Sequence, residues 1–502
     1  MNTSLEQAEE LFTQSSTALA SDQFDTAETL LLNALDLAPE LAEAHANLAW
    51  LLDRRGSMSE AVRHYELAIE LQPDNARIHL NFGTLLADLK FFHAAEAAYR
   101  RALDVDRSLP GIWSNLGALL AQNYRDEEAE TCLNTALQLD PQHAGAHFNL
   151  ASLLLRKGRY PQGWFHLEFR DWYQPIEMRL RCRRWKGQSL AKLAVLVVYE
   201  AGFGDVIQFC RYVSELRRLG ADHVDLLCHD ELKELLQSLD GVGQVFGYND
   251  DISDSDWDYW VPMMSLPHYV GTQLDNIPAS LPYLAAPPAK VAHWRQEIDR
   301  LCPRPTWRVG LVWQGNPDFC NDSQRSLPGL QTLAPLWEVP GAQFFSLQKG
   351  QGQQDVHSQQ ASQPLINLAP ELGNFADTAA AISQLDLVIS VDTAVAHLAG
   401  ALGKPCWVLL PAFMTDWRWL EHRTDSPWYP GAVRLFRQPQ DGGWAPVVQT
   451  LRAALQEARP GNPATSPPGS AHWFWQLCCC VACQRRPSQR LMVACLVSMS
   501  RR

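Results

Sequence analysis

A period of 34 residues runs through the first third of the chain and limits its fold more than any other feature. Pro39, Pro73 and Pro141 lie at multiples of 34, Pro175 falls on the next step, and Arg107 takes the missing slot. Asn47, Asn81, Asn115 and Asn149 keep the interval, as do Ala34, Ala68, Ala102 and Ala136, and Ala27, Ala61, Ala95 and Ala129. Gly83 and Gly117 share a column with Ala49 and Ala151. Small residues at one recurring register let two helices approach closely, and a proline just past an apolar-periodic run closes a helix. Each repeat therefore predicts a helix pair. One pair cannot bury its own apolar face, so neighbours must stack into an α-solenoid.

The pattern resembles the tetratricopeptide repeat. Three repeats are well formed, at 42–75, 76–109 and 110–143; a degenerate one precedes them and another follows at 144–177, so helical repeats are expected over 1–177. Such repeats imply a groove for a peptide or partner protein, or a scaffold that packs on the next domain. This third is acidic, with 23 Asp+Glu against 9 Lys+Arg in residues 1–150, while the rest of the chain balances. That charge argues against a nucleic-acid partner.

After Trp185 the pattern changes. Leu193–Val198 is a short continuous apolar run, the mark of a buried parallel strand. A helical pattern (206–219), a strand (224–228) and a helix (231–239) follow it. A second series starts after the proline-rich stretch 278–288: a helix at 290–301, then strands at 309–313, 343–347, 387–390 and 406–410, with helices at 375–385 and 393–402. Strand–helix alternation predicts two Rossmann-like lobes, 190–289 and 290–457, with a cleft at the strand C-termini.

Two strand-to-helix seams carry the candidate chemistry. Gly202-Phe203-Gly204-Asp205 follows the first strand and opens a helix. Its glycines would let a backbone approach a ligand, and Asp205 is either the helix N-cap or a general base for an acceptor hydroxyl. It is not GxGxxG, so a dinucleotide is not indicated. Asp392-Thr393 repeats the arrangement in the second lobe. Backbone N–H groups of Thr393, Ala394 and the next residue would hold phosphate or sugar oxygens, while Asp392 is suited to accept hydrogen bonds from sugar hydroxyls. His397, one turn on, faces either the cleft or the core. Arg325 and Lys349 lie in loops after strands, either neutralising a diphosphate or as solvated charges.

Other signals carry less. Asp250, Asp251, Asp254, Asp256 and Asp258 include Asp-x-Asp spacing, and Cys480-x-x-Cys483 lacks a second ligand pair; no metal and no cofactor are expected. Seven cysteines are scattered over 132–406 and five crowd into 478–495, which reads as reduced thiols in the cytoplasm. No run reaches the roughly 18 apolar residues of a membrane span. The acidic start MNTSLEQAEE is not a signal peptide. Residues 458–502, basic and Cys-rich, are expected to be a disordered tail, with peripheral contact at the inner membrane as the alternative.

The stretches YEAGFGDVIQFCRY (199–212), RVGLVWQGNP (308–317), FFSLQKG (344–350), FADTAAAISQLDLVISVDTAVAHLAGALGKPCWVLLP (375–411), DWRWL (416–420) and SPWYPGAVRLFRQ (426–438) resemble bacterial tetratricopeptide-repeat proteins with a C-terminal glycosyltransferase family 9, heptosyltransferase-like domain of GT-B fold. The layout is also similar to that of protein O-GlcNAc transferases. The resemblance implies an inverting, metal-independent transfer of a sugar from a nucleotide-sugar donor to a protein or glycan acceptor. It implies Asp205 as catalytic base, Asp392, Thr393 and His397 at the donor, and Arg325 as the basic loop residue. Gln314-Gly315-Asn316-Pro317 departs from the family's Gly-x-Ser/Thr, which leaves the donor sugar open. The alternative is a non-catalytic repeat scaffold with a degenerate GT-B domain.

Overall fold

The computed structural model describes residues 2–252, 256–304, 306–319, 321–358, 365–440 and 442–458. It falls into two compact units, Met1–Leu150 and the chain from Ala151 onward. Each is described by itself.

The first unit is built of antiparallel helix pairs: α1 (Asn2–Ala20) with α2 (Phe24–Leu37), α3 (Ala42–Arg54) with α4 (Met58–Leu71), α5 (Ala76–Asp88) with α6 (Phe92–Val105), and α7 (Pro110–Gln122) with α8 (Asp126–Leu139). The recurring alanines at 27, 61, 95 and 129, and at 34, 68, 102 and 136, are all fully buried. A methyl on Gly83 would lie 2.7 Å from the Tyr99 ring, and one on Gly117 2.7 Å from Leu133, which is why that column stays small.

A second ladder has the same period. His45, His79 and His147 each place Nε2 on the carbonyl six residues back, at Pro39, Pro73 and Pro141, 2.8–3.0 Å away. A carbonyl only accepts, so each ring carries its proton on Nε2. In the third repeat Trp113 takes the histidine's slot and donates Nε1–H to Arg107 O at 2.9 Å. The proline is replaced there as well: Asp106 Oδ1 accepts from Ser108 N at 2.8 Å, an Asx turn that holds the chain extended after α6. Position 107 thus keeps the turn without a proline.

The second unit opens with the end of α9 (Ala144–Arg156) and with α10 (Tyr160–Leu167), followed by two parallel sheets. The first contains β1 (Arg183–Arg184), β2 (Ala194–Val198), β3 (His223–Cys228), β4 (Val245–Gly247) and β5 (Tyr259–Pro262), in the order β1-β5-β2-β3-β4. The second contains β6 (Trp307–Val312), β7 (Ala342–Ser346), β8 (Leu365–Asn367), β9 (Leu387–Val391), β10 (Cys406–Leu410) and β11 (Val433–Arg437), in the order β11-β10-β9-β6-β7-β8. All pairings within both sheets are parallel. The strands expected from apolar runs are present. β1, β4, β5, β8 and β11 were not predicted; β1 is two residues long and β4 and β8 three, too short to show a period. The helix read over 206–219 is two segments, Phe203–Phe209 and Tyr212–Arg218.

Within the repeat region expected over 1–177, α10 and the chain that follows it also pack on the α/β lobes. Trp164 donates to Thr272 O at 3.0 Å, and the Tyr160 hydroxyl accepts from Trp428 Nε1 at 3.0 Å. Arg170, fully buried, grips both oxygens of buried Glu200 at 3.0 and 2.8 Å; Trp172 Nε1 and Met264 N donate to the same carboxylate. A charge this deep is tolerable only when paired and hydrogen-bonded. The first lobe likewise begins before 190, since β1 pairs with β5. The tail from 459, Cys480 and Cys483, and Asp254 lie outside the described residues.

Candidate active site

In each sheet the strand order reverses once. The reversal lies between β2 and β5 in the first sheet and between β6 and β9 in the second. Chains leaving the two strands at such a point diverge and open a crevice at the strands' C-terminal ends, where ligands of open α/β sheets bind. Asp205 follows β2, Gln314 to Arg325 follow β6, and Asp392 follows β9. The candidate residues therefore sit where the topology opens each sheet.

The two seams meet. Gly204 begins the helix Phe203–Phe209 so close to the helix Ala394–Ala401 that a Cβ on it would lie 2.9 Å from His397 Cδ2 and 3.6 Å from Ala394 Cα. The glycine is required for close approach, not for an unusual backbone angle. Gly202 is the N-cap, and its N–H donates to Asp205 Oδ2 at 2.9 Å. Asp205 is thus at the third helical position, not the N-cap itself. Its other oxygen pairs with Arg418 Nη2. Burial raises the Asp205 pKa, Arg418 opposes that shift, and Asp416 adds to it.

Thr393 caps the second helix in extended geometry, with its hydroxyl 2.9 Å from Ser390 Oγ. The first intrahelical bond is made by Ala396 N to Thr393 O at 3.0 Å, so the N–H groups of Ala394 and Val395 precede the helical ladder. Asp392 Oδ1 lies 3.9 Å from His397 Nε2. Burial and the neighbouring Asp416 push Asp392 up to about 6, against Arg325 and Arg418. The Trp419 indole N–H faces Asp392 without completing a hydrogen bond to it. His397 is buried, stacks on Trp419 with ring centroids 5.1 Å apart, and sets Nδ1 2.9 Å from the Tyr429 hydroxyl. Burial and then Arg418 drive its pKa down to about 3, so it is neutral.

Arg325 lies in the loop after β6, bonded to Asp322 Oδ1 at 3.1 Å and stacked on Phe319 at 4.3 Å, within electrostatic reach of Asp392 and His397. Buried Gln348 shapes that loop, accepting from Trp313 N and Gln314 N at 2.9 and 3.0 Å. Lys349 is placed differently. Its ammonium donates to the carbonyls of Ala369 and Leu372 at 3.0 and 2.7 Å, closing a turn. Asp250 accepts from Lys233 Nζ and from Gly247 N. Among the described residues no group of three or more His, Cys, Asp and Glu is arranged to hold a metal.

The cluster's centre is a residue to which the sequence assigned no role. Arg418, 7% exposed, reaches from the loop after β10. It donates Nε–H to Gln208 Oε1 at 2.6 Å and Nη1–H to both Asp416 oxygens at 3.0 and 2.9 Å. Its signal was the DWRWL stretch at 416–420, part of the family resemblance, which says nothing about what an arginine there would touch.

The fold and the site together describe a helical-repeat protein with an α/β region of two parallel sheets, consistent with GT-B. Models of the tetratricopeptide repeat match residues 12–76, 76–109, 110–143 and 132–164, and that of glycosyltransferase family 9 (heptosyltransferase) matches 343–409. The latter span includes Lys349, Asp392, Thr393 and His397. The chain is 27% identical over 328 residues to protein FlbA of Caulobacter vibrioides, an alignment covering 60% of this chain and 53% of that one. The chain therefore spans about half the length of this curated relative. Among solved structures, PilF of Pseudomonas aeruginosa is similar at TM-score 0.31 and 23% identity, over 33% of this chain and 75% of that one. YrrB, described as a TPR protein with an unusual peptide-binding site, is similar at TM-score 0.27 and 20% identity, over 34% and 87%.

Proposed function

We propose that the α/β unit is an inverting glycosyltransferase using a nucleotide-sugar donor. The observation that carries this reading is the meeting of the two seams, Asp205 in one lobe and Asp392, Thr393 and His397 in the other, at the reversal points of both sheets. In this reading Asp205 takes the proton of an acceptor hydroxyl. The hydroxyl oxygen attacks the anomeric carbon, and the bond to the diphosphate breaks with its electrons on the leaving group. The N–H groups of Ala394 and Val395, the dipole of their helix and Arg325 stabilise that developing charge. Asp392 accepts from sugar hydroxyls. Neutral His397 holds the wall between the lobes through Tyr429 and Trp419. Lys349, bonded to two carbonyls, is the weaker candidate for the diphosphate.

The repeats bind the acceptor or a partner protein, and the thiols of Cys132, Cys210, Cys228, Cys302 and Cys406 suit a reducing, cytoplasmic location. No described helix is long and apolar enough to cross a membrane.

The test is release of nucleoside diphosphate from UDP-, GDP-, ADP- and CMP-sugars, with CMP release for the last. Turnover with one donor, reduced about 10²–10⁴-fold in Asp205→Asn with donor binding retained, supports the reading. An Asp205→Asn protein as fast as the native one removes Asp205 as base. The scaffold reading draws on one observation: both oxygens of Asp205 are already engaged, by Arg418 and by Gly202 N–H. It predicts no turnover and no thermal stabilisation by any of these donors.

A further inference from the structure

Arg418 is bound more completely than a surface arginine and stands in the wrong lobe for a merely local role. Three of its partners divide between the lobes: Asp205 and Gln208 belong to the helix after β2, whereas Asp416 shares the arginine's own loop after β10. The guanidinium lies over Trp417 at 4.4 Å, which fixes its plane. That loop departs from ordinary backbone angles: Met414, Leu420 and His422 all have positive φ, at 51°, 53° and 54°. For residues other than glycine such angles are unfavourable, and they persist where surrounding contacts impose them.

The charges facing Asp205 come from every element around it. Arg418 and Asp416 reach it from the loop after β10, and Glu200 from its own turn, where Arg170 already pairs with it. His397 of the facing helix is neutral. Arg418 is thus the one cation among these groups not already committed to Glu200; it bonds two carboxylates, Asp205 and Asp416, and lies within electrostatic reach of a third, Asp392 after β9, which Arg325 also opposes.

We propose that Arg418 is the positioning residue for Asp205: it aims the carboxylate, and, because it comes from the other lobe, it makes the base competent only when the two lobes are apposed. This deepens the glycosyltransferase reading and rests on it. Arg418 itself touches neither donor nor acceptor in this role. A lysine supplies the charge but not the planar fork that meets Asp205, Gln208 and Asp416 together.

The experiment measures nucleoside diphosphate release by Arg418→Gln and Arg418→Lys from pH 5 to 9, alongside thermal unfolding of Asp205→Asn, Arg418→Gln and the double variant. Activity of a carboxylate base rises with pH through its pKa. Without Arg418, burial and Asp416 act on Asp205 against the Gly202 N–H alone, so the acid limb moves to higher pH. The expected result is a loss of tenfold or more at pH 6–7, partly recovered at pH 9, with Arg418→Lys between the two. Non-additive unfolding shifts, the double variant being more stable than the sum of the singles predicts, complete the expectation. The double variant also serves if Arg418→Gln alone does not fold, since it removes the unpaired Asp205 charge. A loss equal at every pH overturns the positioning role, and so do additive shifts. Absence of turnover by the native protein with all four donor classes overturns the glycosyltransferase reading and the positioning role with it; the unfolding cycle then still decides whether the contact couples the lobes.

Discussion

Gly204 shows how much one missing methyl group can govern. The ring that a Cβ would strike, His397, has no room to retreat: Tyr429 holds one edge at 2.9 Å and Trp419 covers a face. Gly204→Ala is expected to part the two helices and to destabilise the protein by about 1–3 kcal/mol, the usual cost of overpacking; urea unfolding measures it. Asp392 has the opposite character. Folded, it holds its proton up to about 6, whereas unfolded it releases it near 3.9. Between those values the folded state binds more protons, so its contribution to stability falls as pH rises. Asp392→Asn is therefore expected to raise the melting temperature at pH 7 and to give no gain at pH 4. A variant no more stable than the native protein at pH 7 contradicts the burial argument. His397 titrates in the other direction, costing stability as pH falls from about 6.5 toward about 3.

At the scale of elements, the repeats and the central strands were legible because each is a local pattern. A 34-residue column of alanines reports helix contact directly, and continuous apolar runs mark strands buried on both faces. The histidine–proline ladder was also in the sequence, as positions 45, 79, 113 and 147, but a mixed column of three histidines and a tryptophan shows its logic only when the shared carbonyl acceptor is seen. The contacts of the segment after α10 were not legible for a related reason. Arg170 and Glu200 are 30 residues apart, and nothing local announces that they pair. Glu200→Gln is expected to cost about 3–5 kcal/mol, because it leaves the fully buried Arg170 under-compensated. Thermal unfolding checks this, and a shift no larger than that of a surface substitution would show the pair to be dispensable.

At the scale of the molecule, the helical repeats do not end where the period does. Tyr160, Trp164 and Arg170 bond to Trp428, Thr272 and Glu200, so α10 is part of the α/β unit's core. A fragment of residues 144–458 is expected to unfold cooperatively, whereas one of residues 178–458 should show lost or broadened thermal unfolding. Equal melting temperatures for the two fragments would support the boundary at 177.

The sequence by itself determined the classes of element and their succession: stacked helix pairs, then two series of parallel strands, each with an Asp at a strand-to-helix seam. Those follow from periodicity and from residue chemistry within about ten positions. Only the tertiary structure decided what each seam faces. The Asp205–Arg418 pair spans 213 residues, and the Gly204–His397 approach spans nearly as many. Burial, which sets the charge of Asp392 and His397, is a property of the neighbours that such long-range packing supplies, and no local pattern encodes it.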